Sequence, residues 1–242
     1  MTAHHPSALE QIVDEIQRKW GKNAIQTLAT FRKSDPVIPI FTGFPELDHA
    51  LGGIPNSALT LLRGMPTAGT VTVAYHIMAQ AQHQGHVIAY VDCAGTFDGQ
   101  YAAKVCNLDQ KYFIHIEPGD TRDGMAITRD LVSLAYRGLI VVDMGLLEPF
   151  DHTLADDLTN TLSTINLLLR RSMWTGIVLL PVTLLSTLDR FAALILACDW
   201  ERWIEQRGVT SGYRAQITVK KHPRQPPGGS VSIAILRDGA MQ

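Results

Sequence analysis

Four short apolar runs, each closed by a turn residue or an aspartate, constrain this chain more than any other feature. Ala58-Leu-Thr-Leu-Leu62 leads to Gly64, Val87–Val91 ends at Asp92, Leu139–Val142 at Asp143 and Ile177–Leu180 at Pro181. Runs this short and this continuously apolar fit strands buried on both faces, as in a parallel sheet. Helical patterns lie between them. Val71 to Gln84 is one, stopped by Gly85, and Leu154, Leu158, Leu162, Ile165 and Leu169 mark one face of another. The expected fold is α/β, a mainly parallel central sheet flanked by helices. After Leu194 the pattern changes. Leu194–Glu201, Arg214–Lys221 and Val231–Leu236 alternate in period two, with turn signals at Gly208, Gly212 and Pro226-Pro-Gly-Gly229. These predict antiparallel strands appended to the parallel core.

Ahead of the core, Leu9, Ile12, Val13, Ile16 and Trp20 repeat at helical spacing, an amphipathic helix that ends near Gly21. Arg32 to Pro39 is polar and holds two prolines, so it reads as a linker. The organisation expected is therefore an N-terminal helix and linker over 1–38 and a core domain over 39–242. A helix with its own apolar stripe, cut off from the core, has a neighbour as its natural partner. No apolar run reaches the ~18 residues that span a bilayer, and Met1 to Pro6 has no signal pattern. With three cysteines, an odd number and widely spaced, the expected setting is a reducing cytoplasm. A net charge of −2 gives no bulk attraction to nucleic acid. None of the nine histidines has the helical spacing with glutamate that a zinc hydrolase uses, so no metal is expected.

In a parallel α/β sheet, ligands bind beyond the carboxyl ends of the strands. There the first strand runs into Gly64-Met-Pro-Thr-Ala-Gly-Thr-Val71 and then a helix. A phosphate-binding loop has the form G-x-x-x-x-G-K-[ST]. Gly64 and Gly69 keep the glycine spacing, but Thr70 stands at the lysine position and Val71 at the hydroxyl position. The lysine neutralises the terminal phosphates and the hydroxyl completes the Mg²⁺ shell. One charge-assisted hydrogen bond to a buried anion contributes about 1.5–3 kcal/mol, and Pro66 removes a backbone N–H from the cradle. Thr72 offers a hydroxyl one residue on, turned about 100° around the helix. Two readings stand: a glycine-rich turn kept for its shape, or a relict, weak nucleotide site.

Five stretches in order make the chain resemble the bacterial RecA recombinase family from about Leu9 to Leu236. Ile16-Gln-Arg-Lys-Trp-Gly-Lys-Asn-Ala-Ile25 is similar to the family's oligomerisation helix and its exit, which puts Ile12, Ile16 and Trp20 at an interface. Thr42-Gly-Phe-Pro-Glu-Leu-Asp-His-Ala-Leu-Gly-Gly-Ile-Pro55 resembles its T-G-x-x-x-L-D-x-x-L-G-G-G-x-P entry to the core. Asp98-Gly-Gln-Tyr-Ala102 is similar to its D-P-x-Y-A, and Leu139-Ile-Val-Val-Asp143 to its Walker B strand. Arg214-Ala-Gln-Ile-Thr-Val-Lys-Lys221 looks like the strand carrying its interfacial lysines, which puts Lys220 and Lys221 at a neighbour.

The departures from that pattern all point one way. The family's catalytic carboxylate, two residues past the Asp92 position, falls on Ala94; a positioned general base contributes about 10²–10⁴-fold. Its phosphate-sensing Asn-Gln pair falls on Pro181 and Val182, and its second interfacial lysine on His222. Its two DNA-binding loops correspond to Gly145–Leu154, which carries Glu148 and Asp151 with His152 as its one candidate cation, and to the short Val182–Arg190. Few Lys or Arg are left there for phosphates, so DNA binding is expected to be weak or absent. What the resemblance retains is the pair that reads and stacks on adenine, Asp98 and Tyr101, with Asp143 at its strand end. The plainer reading has Asp98 cap its helix and Tyr101 pack on it.

The function expected is a non-catalytic RecA-like protein, an assembly factor in recombination, repair or damage tolerance such as the SOS response. Its partners would be proteins: itself, RecA or a repair polymerase, with no cofactor. The alternatives are a weak ATP/ADP switch retaining the adenine pocket, a weak DNA-binding recombination protein, and a working ATPase built from unusual groups.

Overall fold

The computed structural model describes residues 7–22, 24–25, 38–145, 152–182, 186–206 and 208–237. The chain divides into two units, Met1–Ile38 and Pro39–Gln242. In the first, helix α1 spans Ala8–Trp20 and starts on a capping box: the Ser7 hydroxyl accepts the Glu10 N–H, and a Glu10 carboxylate oxygen accepts the Ser7 N–H. None of its residues is buried; Leu9, Ile12 and Trp20 are 60, 56 and 69% exposed and Ile16 is half-buried. Most of the expected linker, residues 32–37, lies outside the described residues.

The second unit opens on helix α2 (Pro45–Leu51), started by proline and ended by Gly52 in the left-handed conformation. Asp48 folds back, one carboxylate oxygen accepting the Thr42 N–H at 2.7 Å and the other the Gly43 N–H at 3.3 Å. This explains the T-G-x-x-x-L-D pattern physically: the aspartate ties down the entry turn while Leu47 beside it is fully buried. The α/β alternation then follows as β1 (Leu59–Gly64), α3 (Thr70–His83), β2 (Val87–Asp92), α4 (Gly99–Cys106), β3 (Phe113–Ile116), α5 (Thr121–Val132), β4 (Gly138–Asp143), α6 (His152–Leu169), β5 (Trp174–Leu180), β6 (Leu194–Gln206), β7 (Val209–Lys221) and β8 (Ser230–Leu236).

These strands form one eight-stranded sheet in the order β3-β2-β4-β5-β1-β6-β7-β8. Pairing is parallel from β3 through β6 and antiparallel from β6 to β8, the mixed sheet that the change of pattern after Leu194 predicts. β1, β4 and β5 are buried at every position, because apolar side chains cover both faces. On one face α2, α3 and α4 pack with β6–β8 around Leu47, Tyr75, Met78 and Ile235. On the other, α5 and α6 bury Met125, Leu158, Leu162 and Ile165.

Two features correct the sequence reading. β6 and β7 are thirteen residues each, longer than the alternation suggests, and turn near Gly208, whereas Gly212 lies inside β7. Gly212 is there for close approach, because a Cβ would run into the carbonyl of Ile235 on β8. The alternation breaks because Leu194–Cys198 are buried on both faces and because the ladder is irregular, with Glu201 extra on β6 and Ser211 and Lys220 extra on β7; each bulge shifts which face the following side chains take. The short edge strand β3 and helix α5 were not anticipated. α5 has a thin buried stripe of Thr121, Gly124, Met125, Thr128 and Val132, and Gly124 leaves room for the Cys93 sulfur.

Candidate functional site

The carboxyl ends of β1, β2, β4 and β5 gather Gly64, Asp92, Asp143 and Pro181 on one edge of the sheet. Asp92 and Asp143 are direct register partners on β2 and β4, and both are buried. Two like charges side by side repel, and the chain answers with donors. Asp143 is 1% exposed, and one of its oxygens accepts the Tyr90 phenol at 2.6 Å and the Thr96 hydroxyl at 2.7 Å. Its other oxygen accepts the Gly145 N–H at 2.8 Å. Asp92 accepts the N–H groups of Thr96 and Phe97, both at 3.0 Å, and the His115 ring stands 3.7 Å away. Burial and the Asp143 charge raise the Tyr90 phenol well above its ordinary range, so it stays a donor.

These donors come from the segment that follows β2. Cys93 to Asp98 turns inward through Gly95, at φ +65°, and lays Thr96 and Phe97 across the two aspartates. Phe97 stacks on Phe113 with ring centroids 5.0 Å apart and lies 4.5 Å from the His115 ring. Ala94 sits within this inward turn. The Cys93 thiol is pushed up to about 12 by burial and by the two aspartates, so it is no nucleophile.

The glycine-rich loop is packed from within. Gly64 ends β1, where a Cβ would meet the Thr70 methyl at 2.5 Å and the Cys198 carbonyl at 3.0 Å. Gly69 caps α3 at φ +97°, and a Cβ there would meet Ile235 at 2.7 Å and the Tyr213 hydroxyl at 3.1 Å. Thr70 is the first residue of α3, with its methyl against Gly64. Thr72 lines a cavity with Tyr101 and Tyr213. The Tyr213 phenol is pushed up to about 12 by burial and by Tyr101.

Asp98 is the N-cap of α4, its carboxylate accepting the Tyr101 N–H at 2.9 Å, while its own N–H donates to the Tyr75 hydroxyl at 3.0 Å. Tyr101 packs on the apolar core beside Tyr75 and lines a cavity of about 260 Å³ with Thr72, Trp203, Tyr213 and Arg237. At the sensor position Pro181 is buried and Val182 exposed. Lys220 is exposed, whereas the Lys221 ammonium donates to the Asp189 carbonyl at 2.9 Å and the Arg63 guanidinium holds the Asp189 carboxylate. His222, at the second lysine position, reaches the Leu51 carbonyl at 3.1 Å and accepts the Arg224 and Gln225 N–H groups. Glu148 and Asp151 of the first expected DNA loop, and residues 183–185 of the second, lie outside the described residues.

Sequence reasoning placed Gly64, Gly69, Thr70, Asp98, Tyr101 and Asp143 at this edge and missed the residues that fill it: Tyr90, Thr96, Phe97, Tyr213 and Arg237. The one available signal was a phenol inside an otherwise aliphatic strand, Val87-Ile-Ala-Tyr-Val91, three residues before Cys93. Among the described residues, no three His, Cys, Asp or Glu side chains are grouped to hold a metal ion, and no helix is long and apolar enough to cross a membrane.

The family model of the RecA N-terminal domain matches residues 7–163. The chain is similar to the RecA protein of Chloroherpeton thalassium, 33% identical over 140 residues, which is 56% of this chain and 38% of that protein. It is similar to that of Chlorobium limicola, 32% identical over 143 residues, 57% of this chain and 41% of the relative. For Rubrobacter xylanophilus the figures are 32% over 146 residues, 59% and 42%. The matched stretch thus spans about two-fifths of each of these relatives' length.

Proposed function

Starting from a chain that belongs to the RecA family, we propose a non-catalytic assembly factor in DNA recombination, repair or damage tolerance, in which ATP hydrolysis has been lost. The observation that carries this reading is the engagement of Asp143 by Tyr90, Thr96 and Gly145. A carboxylate that serves a Mg²⁺ shell must offer lone pairs to the metal or its waters, and here protein donors take three of its four. Thr70 and Val71 at the lysine and hydroxyl positions, and Ala94 at the base position, support the same conclusion from the sequence. Mg-ATP turnover by the purified chain is expected at the uncatalysed level, with and without single-stranded DNA. Turnover that single-stranded DNA stimulates overturns the proposal.

Assembly is the function left to such a domain, and α1 supports it with an apolar stripe that carries no buried residue. Its partner is a protein: a second copy, a RecA protein or a repair polymerase. Replacing Ile12 and Trp20 together by aspartate is expected to weaken self-association, or capture of such a partner, by at least tenfold, since two exposed anchors of an interface commonly contribute more than 1.4 kcal/mol between them. Sedimentation velocity over a concentration series reads the first, and pull-down with purified candidates the second. Unchanged association in both would move the interface away from α1.

A second reading, a nucleotide switch without turnover, is favoured by one observation: Tyr101 faces a cavity bounded by Trp203, Tyr213 and Arg237, two rings and a cation where a nucleobase could stack. Calorimetric titration with Mg-ATP and Mg-ADP decides it. Micromolar binding that Tyr101→Ala abolishes makes the chain a switch, and no heat up to millimolar nucleotide removes that reading.

A further inference from the structure

We propose that the aromatic corner of the β6–β7 hairpin is a binding site for a quaternary ammonium group. Trp200, Trp203 and Tyr213 line one cavity of about 420 Å³ with Thr67 of the glycine-rich loop. The ladder brings the rings together. Trp203 is the register partner of Tyr213, and positions 200 and 203 of a regular strand would point to opposite faces. The extra residue between Trp200 and Arg202 returns both indoles to one face. Ring centroids lie 5.8 Å apart for Trp200 and Trp203 and 6.1 Å for Trp203 and Tyr213, with planes inclined at 62° and 77°. Trp200 and Trp203 nevertheless stay 48 and 59% exposed, and apolar surface gathered in this way marks a place of contact. Thr67 closes the cavity in the left-handed conformation, at φ +68°. That is strained for a β-branched residue, and strain held in place clusters at ligand clamps.

Ring angles and charges select the ligand's chemistry. A flat base or a guanidinium stacks on parallel walls, whereas rings at steep angles to one another suit a rounded group, and their faces attract a cation. β6 carries Asp199, Glu201 and Glu205 against Arg202 alone. Arg202 stands 3.8 Å from Glu201, which also accepts the Ser232 hydroxyl. Arg202 and Arg214 are register partners, one step from the Trp203–Tyr213 pair, and so occupy the opposite face. Glu205, two residues past Trp203, falls on the aromatic face and is in no ion pair among the described residues. Arg237 lines the adjoining cavity with Tyr101, not this one. A phosphate entering here meets a carboxylate, while a cation meets three rings and Glu205. The lining offers few acceptors, only the Thr67 and Tyr213 hydroxyls, which disfavours a primary ammonium with three N–H donors to satisfy. A methylated ammonium has none. It is either a free small molecule or the methylated lysine of a partner, and both present the same group.

The test is titration of the isotope-labelled full chain at constant ionic strength, read on the indole N–H resonances of Trp200 and Trp203. The probes are choline, the amide of N-acetyl-trimethyllysine, and 3,3-dimethylbutanol, which has choline's shape without its charge. Choline or the trimethyllysine amide is expected to shift both resonances saturably in the millimolar range, and the tighter of the two identifies the source. The uncharged alcohol is expected to bind at least about tenfold more weakly, since three ring faces act on the charge together. Trp200→Ala, on an exposed side chain, should weaken the cation about two- to fivefold as read on Trp203, and Trp200→Phe should retain most of the affinity. Trp200 does not line the Tyr101 cavity, so the result is independent of any nucleotide bound there. No movement with either cation, equal affinity for choline and its uncharged analogue, or unchanged binding in Trp200→Ala sinks the proposal. Shifts caused by oligothymidylate and by neither cation would make this a nucleic-acid surface instead.

Discussion

Replacing Asp143 by alanine is expected to destabilise the chain by about 3 kcal/mol, because it strands three donors at roughly 1 kcal/mol each. For a chain of this length that is a fall in Tm of roughly 6–12 °C, readable by calorimetric or circular-dichroism melting. The three donors differ in what they lose. The Tyr90 phenol is fully buried with no water to turn to, the Thr96 hydroxyl is half-buried, and the Gly145 N–H lies where β4 ends. One term opposes the loss: removing Asp143 relieves its repulsion of Asp92, its register partner across the sheet. Asp143→Asn tests the bookkeeping, since its carbonyl can still accept two of the donors while its NH₂ faces the third. It should cost less than the alanine variant. A carboxylate kept for metal chemistry behaves differently. Its removal costs activity and leaves the melting temperature where it was, so an unchanged Tm in Asp143→Ala would falsify the structural role given to it here.

The sequence shows the fold well and the site only in part, and the reason is the same for both. Strand runs such as Leu139–Val142 are legible because every side chain in them does one thing, which is to be apolar on a doubly covered sheet. β3 was invisible because an edge strand of four residues, half-exposed or exposed throughout, needs no such signature. α5 was missed because its buried stripe is built from threonines, a glycine, a methionine and a valine, a pattern too weakly apolar to stand out. The loop from Gly64 to Thr70 was readable as a glycine-spaced turn from strand to helix. What filled the space was not readable, because Thr96, Tyr90 and Asp143 are brought together by strand order, and β2 and β4 are neighbours only in the folded sheet.

That filling ties the two halves of the molecule's chemistry together. Buried carboxylates need donors, and for Asp143 the chain uses a threonine and a tyrosine hydroxyl. The same turn places Phe97 between Tyr90, Phe113 and His115, so this edge of the sheet is an extension of the aromatic core. On the proposed non-catalytic reading, Thr70→Lys with Val71→Thr is therefore not expected to give turnover. The lysine would arrive at a loop whose neighbouring aspartate is already occupied.

The core carries one further ionisable group with a measurable signature. His76, on α3, is 6% exposed and packs edge-on against Phe44 with ring centroids 4.9 Å apart. Burial lowers its pKa from 6.5 to about 4. In the unfolded chain the imidazole takes up a proton below about 6.5, whereas in the folded chain it does so only near 4, so between those values the unfolded state binds more protons. The stability is present in full above pH 6.5 and is lost as the pH falls toward 4. A shift of that size corresponds to about 3 kcal/mol lost across the window. The histidine at position 86 is lowered as well and adds to the same slope, so the contribution of His76 is isolated by difference. His76→Leu keeps an apolar group against Phe44 and removes the titration. Urea unfolding of both proteins at steps from pH 7 to pH 4 should show the wild type losing stability relative to the variant by up to about 3 kcal/mol, with most of the divergence below pH 6.5. Parallel curves would mean that acid enters the fold elsewhere and that His76 finds water around it before the chain opens.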